Sequence, residues 1–188
     1  VGNAFGSMNT ASGSYASALG YNNIASGTKS NAVGNENEAS NEYANAIGAG
    51  NKTSGYASSA VGNNNKVTAD FASAFGHSND VSGYVANAVG MESNVSGDWS
   101  SAFGLYNQVS GEASSAFGYA NLVSGEEANA FGLSNNLQAK GSSAVGNNNT
   151  VSSSATDSIA LGNNTNVSLA NSVALGSNSA ATAINSVT

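Results

Sequence analysis

Ala18-Leu19-Gly20 is one copy of a tripeptide, Ala followed by Val, Ile, Leu or Phe and then Gly, that occurs thirteen times in the 188-residue chain. Its glycines are Gly6, Gly20, Gly34, Gly48, Gly62, Gly76, Gly90, Gly104, Gly118, Gly132, Gly146, Gly162 and Gly176. From Gly6 to Gly146 every interval is 14 residues; the next is 16 and the last is 14 again. A fixed short period over nearly the whole length marks stacked copies of one small unit, each touching its neighbours. The chain reads as a solenoid.

Other positions keep the same phase. Five residues after the glycine stands a second apolar or small side chain, among them Ala25, Val67, Val95 and Leu137. Three after it stands Asn in ten copies, replaced by Ser93, Thr165 and Ser179, and seven after it a second Gly recurs in seven copies. Each coil therefore carries two marked chain reversals with a short segment between them. A helix is excluded, because one or two glycines per 14 residues at roughly 1 kcal/mol each is too costly. Short strands fit, as in Ala16-Ser17-Ala18-Leu19, each pairing in parallel with its copy about 4.8 Å above. Thirteen such coils would form a rod on the order of 60 Å long.

In-register stacking puts like on like. The asparagines should form an amide ladder. The large residue before each glycine is expected to face the apolar residue five after it across a thin core. Strand alternation then turns the preceding Ala outward, with the Ala or Ser two places earlier (Ala16, Ala44, Ser30, Ser58). That line of small residues is expected to be the contact face of an oligomer, because so thin a core buries little apolar area per coil.

Composition narrows the function. The net charge is −7, with four lysines and no arginine, which removes the basic patch that nucleic acid or an anionic membrane requires. Absent cysteine excludes disulfides and thiolate metal sites. His77 is the only histidine, so one chain offers no multi-histidine metal site. Glu36, Glu38, Glu42, Glu92, Glu112, Glu126 and Glu127 are spread over several coils and read as solvated surface. Neither a hexapeptide acyltransferase period nor a calcium-binding Gly-Gly-x-Gly-x-Asp repeat is present. No catalytic residue, cofactor or metal is assigned. Val1 falls inside a repeat, so a longer parent protein is expected.

The last repeats, Ser158-Ile159-Ala160-Leu161-Gly162 and Asn171-Ser172-Val173-Ala174-Leu175-Gly176-Ser177-Asn178-Ser179, resemble the Asn-Ser-Val-Ala-Ile-Gly-x-x-Ser repeat of the YadA-like head of trimeric autotransporter adhesins. The resemblance runs along essentially the whole chain and makes residues 1–188 one head repeat domain, with two residues inserted near 152–156. It implies an all-β, left-handed parallel β-roll and a homotrimer with three chains side by side. It further implies a coiled-coil stalk, outer-membrane anchoring in the full-length protein and display on a Gram-negative cell, with no direct membrane contact by this segment. The partner it implies is a host matrix protein such as collagen, or another cell. The first eleven copies depart from the repeat three residues before the glycine, where Ser17, Asn31, Asn45 and Ser59 stand in place of Val.

A second set of aromatics, Tyr15, Tyr43, Tyr56, Phe71, Tyr84 and Trp99, falls eight or nine residues after the glycine, in or beside the second turn. These rings are candidate ligand-binding residues, a low-charge strip for an extended partner. Alternatively they cap the edge of the thin core. Two other function classes fit the pattern: a structural spacer that holds a separate binding domain away from the cell, and an ice-binding solenoid. The latter would need Thr at fixed phase, whereas Thr10, Thr28, Thr53 and Thr68 are scattered.

Overall fold

A computed structural model describes residues 1–181 and 183–188. The chain is an all-β parallel solenoid of about thirteen turns, with no helix among the described residues. Each coil contributes one long strand, such as Ser17–Tyr21, and one two-residue strand, such as Ile24–Ala25. Two compact units divide the chain at Glu92 and Ser93. In the first, long strands from Asn3–Ser7 to Asn87–Met91 form one sheet and short strands from Thr10–Ala11 to Asp80–Val81 the other. In the second, the long strands run from Ser101–Leu105 to Val173–Leu175 and the short ones from Asn94–Val95 to Ala180–Ala181.

Register follows the sequence period. Ala18 pairs with Ala32, Leu19 with Val33 and Gly20 with Gly34. The longer interval does not disturb it: Val145 still pairs with Leu161 and Val151 with Val167. The two added residues are taken up in the turn after Val151, where the Ala155 amide donates to the Ser152 carbonyl at 2.9 Å.

The faces are the reverse of the sequence expectation. The Ala two before each glycine points inward and is fully buried, as at Ala32, Ala74, Ala116 and Ala160. The small residues four before it (Ala16, Ala44, Ser30, Ser58) are buried as well, so they do not form an outer contact face. The large residue before the glycine points outward: Leu19, Ile47 and Phe75 in the first unit, Phe103, Phe131 and Leu161 in the second, are all exposed. A 14-residue coil is too narrow to seat two bulky rows across from one another. The row five after the glycine takes the room, with Val67, Val81, Val109, Val123 and Leu137 fully buried, and only a methyl fits opposite.

The buried asparagines complete the core. Asn37 Nδ2 donates to Asn23 Oδ1 at 3.0 Å, to the Val33 carbonyl at 3.0 Å and to the Gly48 carbonyl at 2.7 Å. Its own Oδ1 accepts from the backbone N–H and the Nδ2 of Asn51, at 3.1 and 3.0 Å. One side chain thus ties its own corner to the coils before and after it, and its polar atoms are satisfied within the dry interior.

Candidate functional site

Two outward features of this scaffold could engage a partner. The first is the apolar column on the long-strand face. Its residues sit at strand spacing, and in the second unit Phe103, Phe117 and Phe131 stack with centroids 4.8 Å apart and planes within 3° of parallel. Phe117 is half-buried between its two exposed neighbours, and beside them Leu105, Tyr119 and Leu133, at the next outward position of the same three strands, are exposed. A column of large apolar side chains facing water is costly for an isolated chain, and contiguous apolar patches mark contact surfaces.

The second feature lies on the turn that precedes the long strand. In the first unit Tyr43, Tyr56, Phe71 and Tyr84 come from four consecutive coils. They meet edge to face, with centroids 5.7, 5.4 and 5.8 Å apart and interplanar angles of 82°, 73° and 90°. Tyr43, Phe71 and Tyr84 are exposed and Tyr56 is half-buried between its neighbours. Tyr43 and Phe71 sit at φ +59° and +57°, a left-handed corner that throws each side chain off the coil. Lys29 Nζ donates to Tyr43 Oη at 2.7 Å and lies 4.7 Å from the ring centre. The Tyr43 hydroxyl beside it holds the Lys29 ammonium above the usual lysine range. Asp70 Oδ1 accepts the Tyr56 amide at 2.7 Å.

Of the remaining aromatic candidates, Tyr15 is exposed on the first unit and Trp99 on the second, both at left-handed corners. The structure thus brings Tyr43, Tyr56, Phe71 and Tyr84 of the predicted rings into one ladder. Sequence reasoning does not find the apolar column as a surface, because the size of its side chains suggests a core.

Three of the lysines pair with carboxylates: Lys52 lies 3.7 Å from Glu38, Lys66 3.0 Å from Asp80, and Lys140 2.6 Å from Glu126 and 3.9 Å from Glu127. All are well exposed, and such pairs contribute little stability. Among the described residues no three His, Asp or Glu side chains lie close enough to hold a metal ion.

Comparison with known families places this architecture. The model of the YadA head domain repeat matches residues 4–23, 54–79, 138–165, 153–179 and 170–187, together just over half of the chain. The chain belongs to the YadA head family. It is a YadA-like head domain of the trimeric autotransporter adhesin kind. YadA-like heads form trimers in general, belong to surface-exposed adhesins and are non-enzymatic in kind. No curated protein matches the chain.

Proposed function

We propose that this YadA-like head is an extracellular homotrimer that attaches a Gram-negative cell to host matrix proteins, collagen-like ones included, or to other cells, by multivalent binding. Three left-handed rolls would pack side by side, carried by an outer-membrane-anchored parent. The observation that carries the reading is the outward apolar column, since covering it asks for further copies of the same face, coil for coil. The aromatic turn lies off the long-strand face and would stay open to a ligand after assembly. Repetition of one weak site on three faces, and over many fibres per cell, supplies avidity.

The experiment is the solution mass of the chain by light scattering, beside that of Phe117→Asp. Three times the chain mass for the parent and a lower mass for the variant, with unchanged β circular dichroism, would support the trimer. A folded monomer for the parent would reject it. Binding of the isolated head to immobilised matrix proteins then tests adhesion. A spacer role, favoured by the nearly uniform row of exposed serines Ser26, Ser40, Ser54 and Ser82 on the short-strand side, predicts no binding at all.

A further inference from the structure

We propose that the Tyr43–Tyr56–Phe71–Tyr84 ladder docks a single proline-rich peptide in the polyproline II conformation. The inference rests on the adhesin reading and gives its ligand a chemistry.

Spacing is the first argument. Tyr43 and Phe71 occupy one turn position, Tyr56 and Tyr84 the one before it, so like ring positions return every two coils, about 9.6 Å. A polyproline II helix repeats every three residues, about 9.3 Å. Over the whole ladder the two rulers drift apart by under about 1 Å. A β-strand shows one face about every 6.8 Å and falls out of step at once; α-helical turns of about 5.4 Å come nearer, but run ahead of rungs about 4.8 Å apart by about 2 Å at the fourth ring.

Chemistry is the second. Edge-to-face rings leave notches between them that fit pyrrolidine rings, the mode by which aromatic-lined grooves take up proline-rich segments. A polyproline II chain has no internal hydrogen bonds, so its carbonyls seek donors, and the hydroxyls of Tyr43 and Tyr56 supply them. Glu42 and Asp70 flank the rings and outnumber the single Lys29 ammonium on Tyr43; with the net charge of −7 they favour a peptide with Arg or Lys beside its prolines, towards the Asp70 end. The rings are already fixed by mutual packing and by the corner backbone, so docking orders little of the protein. Four rungs span about 14 Å, room for five or six peptide residues.

The test is calorimetric titration of the folded chain with a single-chain peptide of ten prolines ending in Arg. A Gly/Ser peptide is the control and a triple-helical Gly-Pro-hydroxyproline peptide the rival ligand. The Tyr56→Thr/Phe71→Asn double variant carries residues already present at those positions in other coils, Thr28 and Asn171, and its fold is checked by circular dichroism. Saturable binding of the proline peptide, weakened about tenfold or more in the double variant, supports the proposal. Silence towards that peptide, equal affinity in the variant, or binding of the triple helix alone overturns it. If the parent still adheres to matrix proteins in any of those cases, the ladder assignment falls and the adhesin reading stands. Variant-sensitive peptide binding without adhesion would keep the ladder assignment and reject the adhesin reading.

Discussion

A Cβ at Gly104 would lie 2.0 Å from the carbonyl oxygen of Gly118, and the backbone there sits at φ +117°. Both the contact with the next coil and the dihedral reject a side chain. Gly104→Ala should therefore cost more than about 2 kcal/mol, seen as a lower melting temperature by calorimetry. Val85 shows the opposite kind of opportunity. It is β-branched yet held at φ +55°, where an L-residue is strained by roughly 1–2 kcal/mol. Asn tolerates that region and fills equivalent corners at Asn171 and Asn185. Val85→Asn should raise the midpoint of thermal unfolding, and an unchanged or lower midpoint would refute the strain argument.

The asparagine ladder acts between elements, because each rung bonds to three coils. Asn121 Nδ2 donates to Asn107 Oδ1 at 2.9 Å and to the Gly132 carbonyl at 3.0 Å, while its Oδ1 accepts the Asn135 amide at 3.1 Å. Asn121→Ala would strand these partners in the interior and should cost about 2–4 kcal/mol. Asn121→Ser should cost less, since Ser93 Oγ already accepts the Asn107 amide at 3.3 Å; denaturant melts of the two variants would rank them. The ladder is legible in the sequence because its side chain keeps one size along most of the chain. The direction of the faces is easily misread, although the same signal carries it. Ala is invariant two before the glycine, whereas the next position changes from Val61 to Phe75 to Val89 with Val67, Val81 and Val95 unchanged. A packed interior does not tolerate such swings in volume. Invariant size marks the inside, and variable size the outside.

At the scale of the molecule, period and phase yield the coil count, the parallel pairing and the turn that absorbs the 16-residue interval. Which rings meet is not legible, because contact between Tyr43 and Tyr56 depends on corner dihedrals that throw neighbouring turn positions towards each other. Since each coil rests on copies of itself, removing residues 59–72 leaves every later residue on its proper face, with Ser58 joined to Ser73. That variant should keep its β circular dichroism and melt within several degrees of the parent. Removing only 59–65 interrupts the phase within one coil and should cost far more. The like-on-like register has a genetic counterpart. Slippage between neighbouring copies of the coding repeat, in steps of one whole coil, would lengthen or shorten the head while preserving its fold. A lineage could thereby tune the length of the head without designing a new surface.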